Sequence, residues 1–154
     1  MDTSIDKPGI VQKTLQDVGV TIRDNIDKVE EIMLQREQAE YQEIHHFFPG
    51  MYIREAFIPK GTFVVGHYHK TEHLNIFLKG KATLINDKGE ATVMEAPMMF
   101  MAKPGRKIAY ADEDMVWQNI FVTDETDIDK LEDMLLDKSE YYLSTQERSK
   151  LCQQ

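Results

Sequence analysis

The 154-residue chain has one cysteine, Cys152, so no disulfide can close within it and no cluster of thiolates can bind a metal. A cytosolic protein is expected. No apolar run approaches the roughly 20 residues of a bilayer-spanning helix. The opening MDTSIDKPGIVQ has no basic segment followed by an apolar one. A soluble, unprocessed chain with no membrane partner is therefore expected. Positive charge is also scarce: 27 acidic residues against 18 basic give a net charge of −9, and Lys and Arg are scattered. That argues against a nucleic-acid partner, because binding a polyphosphate requires a basic footprint. The length suits one domain with terminal extensions.

Residues 1–20 are polar, carry Pro8, Gly9 and Gly19, and show no sustained period, which predicts a flexible N-terminal arm. Residues 21–46 are expected to form an amphipathic helix. Within DNIDKVEEIMLQREQAEY, Ile26, Val29, Ile32 and Met33 share one helical face, and acidic residues occupy the first turn. Such a helix would cover the domain's own core, with His45 and His46 as helix-end or loop residues.

After Pro49-Gly50 the pattern changes to eight short β-like runs, MYIREAFI, TFVVGHYH, HLNIFLKG, KATLIN, ATVMEA, MMFMAK, KIAYA and VWQNIFV. Turn residues separate them, among them Pro59-Lys60-Gly61, Lys103-Pro104-Gly105 and a hairpin turn at Asn86-Asp87-Lys88-Gly89. Closely spaced strands without intervening helices predict a mainly β domain over 47–123, an antiparallel sandwich or small barrel. Residues 124–154 return to helix. Thr126 or Asp127 can cap it, and Ile128, Leu131, Met134 and Leu135 form its apolar face. Met94, Met98, Met99 and Met101 read as flexible core filler and Trp117 as a core aromatic.

The segment GHYHKTEHLNIFLKG, residues 66–80, holds three of the five histidines. On a strand, His67 and His69 would point the same way, about 7 Å apart along the backbone. If the chain turns at Lys70-Thr71 and His73 opens the next antiparallel strand, three imidazoles converge. Such a set suits Zn, Fe, Mn, Ni or Cu, and leaves coordination positions open. The same parity puts Asn75 and Phe77 inside. Leu74, Ile76 and Leu78 would face the other way, beneath a helix or a second subunit, so a homo-oligomer is expected.

Gly61, five residues, His67-Tyr68-His69, three residues, His73, six residues and Gly80 together resemble the first motif of the cupin superfamily, which usually has a glutamate where His73 stands. The resemblance implies a small antiparallel jelly-roll β-barrel, often dimeric, here flanked by an N-terminal and a C-terminal helix. It also implies a divalent transition metal (Zn, Fe, Mn or Ni) held in the barrel mouth by His67, His69 and His73. The second cupin motif is eroded. Pro97, Lys103, Ile108 and Asp112 stand at its Gly, Pro, His and Asn positions, and only Gly105 agrees. Ile108 thus replaces the histidine that would be the fourth ligand.

Residues 50–137 are also similar to small cupin-like proteins of tailed bacteriophages and some bacteria, on YIREAFIPKGT, the string of residues 66–76, APMMFMAKPGRK and AYADEDMVWQNIFVTDETDIDKLE. That group often has a basic residue at the position of His67 and a histidine at that of Phe121, so His67 would replace a lost third ligand. No acid–base set accompanies the histidines beyond Glu72 and Tyr68, and no nucleophile has a paired base. Two readings stay open. One is an accessory or virion-associated scaffold or binding protein, acting in the host cytoplasm or the virion beside other virion proteins. The other is a small metal-dependent enzyme, a dioxygenase, isomerase or lyase, acting on a small polar molecule.

Overall fold

The computed structural model describes residues 26–86 and 88–152. The expected arm (1–20), residues 21–25 of the expected helix and Asp87 of the hairpin turn lie outside the described residues. In chain order the elements are α1 (Ile26–Met33), β1 (Gln42–Phe48), β2 (Met51–Ile58), β3 (Phe63–Val65), β4 (Tyr68–His69), β5 (His73–Lys79), β6 (Lys81–Asn86), β7 (Ala91–Glu95), β8 (Met98–Ala102), β9 (Lys107–Ala111), β10 (Met115–Val122), α2 (Ile128–Leu135), β11 (Leu136–Asp137) and α3 (Glu140–Cys152).

The strands form a five-stranded sheet in the order β1-β2-β10-β5-β8, a four-stranded sheet β3-β9-β6-β7 and a two-stranded pair β11-β4. All pairings are antiparallel. The architecture is mainly β and jelly-roll-like, and the sheets do not join into one closed barrel. Alternation builds the core. Along β5, His73, Asn75 and Phe77 are buried while Leu74 and Ile76 are only half-buried. Phe77, Ala82, Leu84, Ala111 and Met115 fill the space between the two large sheets, with Trp117 and Met98 packed against them. The other face of the four-stranded sheet is covered by α1, whose Ile26 and Val29 pack on Ile85 and Ile108.

The N-terminal helix is shorter than the sequence pattern predicts. It stops at Met33, where the Gln38 side-chain amide donates to the carbonyls of Met33 (2.9 Å) and Arg36 (2.8 Å) and so satisfies groups left open at the helix end. Residues 42–48 pair with β2 as a strand, so His45 and His46 are sheet residues and not helix-end or loop residues. The C-terminal segment is two helices. Asp127 caps α2 by accepting from the Lys130 backbone N–H, and α3 follows the short β11.

The methionines divide. Met94 and Met98 pack on the core, but Met99 (66% exposed) and Met101 (61%) point out from the five-stranded sheet and are not core filler. Gly80 joins β5 to β6 with φ +97°, where a Cβ would overlap the Asp114 carbonyl oxygen and crowd Met115. The last glycine of the first motif is therefore required by the passage from one sheet to the other. Among the described residues no helix is long and apolar enough to cross a membrane.

Candidate functional site

His73 opens β5, which pairs with β8 and β10 and not, as the expected convergence supposed, with the strand of His69, and its Nδ1 lies 3.1 Å from the Thr71 carbonyl oxygen. Donation from Nδ1 to that carbonyl leaves Nε2 with its lone pair. His69 reaches the same place from β4. The two rings stack with centroids 4.4 Å apart and planes 18° from parallel, and Phe121 lies against both, 5.1 Å from His73 and 6.4 Å from His69. Phe121 in turn stacks on Tyr52, and Tyr52 on Phe47 and His45, so an aromatic ladder crosses the five-stranded sheet to its edge.

His67 goes elsewhere. It lies just before β4, where its ring meets Tyr142 of α3 edge-on at 4.5 Å and its Nδ1 stands 3.8 Å from Glu30 of α1. Glu30 is buried. It pairs with Arg106 at 2.8 Å and accepts from the Ser139 hydroxyl at 2.5 Å, while Arg106 donates to the Gly66 carbonyl at 2.7 Å and contacts Asp27. These groups tie both terminal helices to the loop that carries His67. The expected convergence of three imidazoles is therefore met only by His69 and His73.

The electrostatics favour neutral rings. Burial pushes the His69 imidazole down to about 3, and the neighbouring His73 and Arg54 add to the effect. Burial also lowers His73 and His67, and in His67 the nearby Glu30 carboxylate opposes it. At Ile108, the expected place of a fourth ligand, the side chain is fully buried under α1. Its neighbour Lys107 reaches the space between the sheets instead, with Nζ 5.5 Å from the Phe100 ring centroid.

Ligation by imidazoles requires in-plane nitrogen lone pairs aimed at one point. Rings stacked like His69 and His73 aim theirs side by side, Phe121 offers no lone pair, and His67 is turned toward the helices. Among the described residues no three His, Cys, Asp or Glu side chains are arranged to hold a metal ion. The side chains present therefore do not fit the metal set implied by the cupin resemblance.

The mouth over the histidines is filled from within the chain. Leu131 of α2 is buried against Tyr52 and Phe121, with Leu135 beside it. Directly after α2, β11 pairs with β4 (Leu136 with His69, Asp137 with Tyr68), and Lys70 donates its backbone N–H to the Leu135 carbonyl and its ammonium to that of Asp133. Two surface clefts lie elsewhere. One of about 410 Å³ is bordered by Met33, Lys60, Phe63 and Tyr110, and one of about 810 Å³ by Tyr68, Arg106, Asp137 and Tyr141. Neither borders His69 or His73.

A polar network on β1 and β2 escaped the sequence reading. Glu43 receives two 2.8 Å hydrogen bonds from Arg54 and one of 3.0 Å from Tyr41. Burial pushes the Glu43 carboxyl up, and the Arg54 bonds more than offset it, holding it below the usual range. His45 bridges Glu43 (3.3 Å) and the Tyr52 hydroxyl (2.7 Å), and burial pushes that hydroxyl up to about 12. The available signal was the pairing of QEIHHFF with MYIREAFI. Inside the sheets, Asn75 Oδ1 accepts from Trp117 Nε1 (2.9 Å) and Asn119 Nδ2 (2.6 Å).

Comparison with protein-family models finds none that matches the chain, and comparison with curated proteins finds none either. Solved structures similar to it include a cupin superfamily protein from Desulfitobacterium hafniense, with a TM-score of 0.46 and 13% identity over 61% of this chain and 87% of that one. Another is KdgF from Halomonas sp., with a TM-score of 0.46 and 12% identity over 62% and 94% of the two chains. A third is a cupin domain from Bordetella pertussis, with a TM-score of 0.47 and 13% identity over 57% and 98%.

Proposed function

We propose that this chain is a cupin-fold accessory or scaffold protein of phage type, acting in the host cytoplasm or in the virion beside other virion proteins. One observation carries the reading: Leu131 of α2 and the β11–β4 pairing close the mouth above His69 and His73, where a metal-dependent cupin would receive its substrate. The stacked imidazoles and the diversion of His67 to Glu30 and Tyr142 support it. On this reading the ligand strand has kept its turns and parity while its side chains serve packing.

A second reading, a small metalloenzyme with His67, His69 and His73 as ligands, has one observation in its favour. Donation from His73 Nδ1 to the Thr71 carbonyl is the kind of bond that orients a metal-binding imidazole. Metal analysis of protein purified without a histidine tag separates the two. Substoichiometric metal, unchanged when the three histidines become alanine, is expected. Stoichiometric Fe, Mn, Ni or Zn lost in those variants would overturn the scaffold reading. Mass spectrometry of purified particles tests the virion assignment, with the chain expected at a fixed copy number.

A further inference from the structure

We propose that the cleft of about 410 Å³ at the end of α1 binds a small aromatic carboxylate, at a site apart from the histidines and independent of the scaffold reading. Its floor follows from the length of α1. That helix lies over the outer face of the four-stranded sheet, where Ile26 and Val29 pack on Ile85 and Ile108. The helix ends at Met33, and Phe63 of β3 and Tyr110 of β9 are left half-buried at its margin. These two residues pair across the strands, so their rings stand side by side on one face.

The walls come from two backbone segments that hydrogen bonds hold in place. On one side the chain leaves α1 through residues 34–39. There the Arg36 N–H donates to the Met33 carbonyl (3.1 Å), and the Gln38 side-chain amide donates to the carbonyls of Met33 and Arg36. On the other side stands the turn between β2 and β3. Its Lys60 N–H donates to the Asp114 carboxylate (2.8 Å) and its Gly61 N–H to the Ala111 carbonyl (2.8 Å). A Cβ at Gly61 would meet nothing within 4 Å, so the turn opens onto free space.

Charge selects the ligand. Arg36 and Lys60 border the cleft from its two walls, and among the described residues neither side chain has a partner. In a chain of net charge −9, two such cations beside an apolar floor favour an anion with a hydrophobic body. Glu37 also lines the cleft, which leaves one positive charge in excess and disfavours phosphate esters and dicarboxylates. The guanidinium of Arg36 supplies a planar fork suited to a carboxylate, and a ligand ring can pack on Phe63 and Tyr110. The volume lies near the lower end of the roughly 300–1,000 Å³ of small-molecule sites, which suits one or two rings.

Amide NMR spectra of the isotope-labelled full chain, titrated with benzoate, phenylacetate and indole-3-acetate, test the proposal. At least one of these acids is expected to saturate with a dissociation constant of about 1 mM or below. It should move the amides of Arg36, Gly61, Phe63 and Tyr110 and leave those of His69 and His73 in place. Benzyl alcohol keeps a ring without the charge and acetate the charge without a ring, and each is expected to bind more weakly by about tenfold or more. Arg36 and Lys60 are exposed, so the Arg36→Ala, Lys60→Ala double variant should fold as the wild type does. It should bind the best of the acids about tenfold more weakly, while Lys88→Ala, in the β6–β7 turn, leaves the affinity unchanged. No saturation by any of the acids would overturn the proposal. So would unchanged affinity in the double variant, equal affinity for benzyl alcohol, or shifts centred on His69 and His73.

Discussion

His69 and His73 stack with ring centroids 4.4 Å apart and Phe121 on their flank, a contact that two neutral imidazoles make far more readily than two cations. In the unfolded chain each titrates near 6.5, and in the folded chain burial lowers both, His69 to about 3. The unfolded state therefore binds more protons below pH 6.5. The stability contributed by the neutral rings is complete above that pH and is lost as pH falls toward about 3. The loss is at most about 1.4 kcal/mol per pH unit per ring, reduced by solvent screening at His69. Denaturant unfolding at several values between pH 7.5 and pH 5 should show wild-type stability falling, and a shallower fall in His69→Phe. Equal slopes in the two proteins would mean that the ring is not held neutral by its surroundings.

Leu131 holds α2 in the mouth of the domain, 1% exposed against Tyr52 and Phe121. Leu131→Ala is expected to cost about 3 kcal/mol, the usual cost of a buried leucine truncation. It should also raise the rate at which diethyl pyrocarbonate modifies His69 and His73. Met134 sits on the same helix and is 51% exposed, so Met134→Ala should change neither quantity appreciably. Equal reactivity of the histidines in wild type and Leu131→Ala would show that α2 does not guard them.

The parity of β5 was legible in the sequence because its alternation is local. His73, Asn75 and Phe77 point inward and Leu74 and Ile76 outward, as a period of two requires. The fate of His67 was not legible, since it is settled by Glu30 on α1 and Tyr142 on α3, both far away along the chain. Strand β1 was hidden for another reason. Its segment follows a run of good helix formers and carries large side chains on both faces, so neither period stands out until β2 is placed beside it. The closing of the mouth was equally invisible, because an apolar helix face does not reveal which surface it will cover.

Gly80 and Gly61, the outer glycines of the first motif, should respond differently to alanine. Both have positive φ, +97° and +83°, but a Cβ at Gly80 would overlap the Asp114 carbonyl oxygen, whereas at Gly61 nothing lies within 4 Å. Gly80→Ala combines backbone strain with a clash against backbone and is expected to cost about 3 kcal/mol or more. Gly61→Ala carries the strain alone, about 1 kcal/mol. Urea midpoints at constant m-value measure both. A reversed order would mean that the β5–β6 passage relaxes around the added methyl.

Glu30 and Arg106 should behave as a unit. Both side chains are nearly buried (5% and 10% exposed), and Ser139, Asp27 and Gly66 satisfy groups that the pair leaves over. Removing one member strands a charge away from water, so Glu30→Ala and Arg106→Ala are each expected to cost about 3 to 5 kcal/mol. Removing both leaves neither charge of the pair stranded, although Ser139 and the Gly66 carbonyl lose a partner. The double variant should therefore fall well short of the sum of the single losses, by 1 kcal/mol or more on the scale of such cycles. Because the same carboxylate faces His67, the NMR titration of His67 in Glu30→Gln should move to lower pH than in wild type, as expected when an attractive negative charge is taken from an imidazole already lowered by burial. Additive stability losses, or an unmoved His67 titration, would break the link between α1, α3 and the histidine loop.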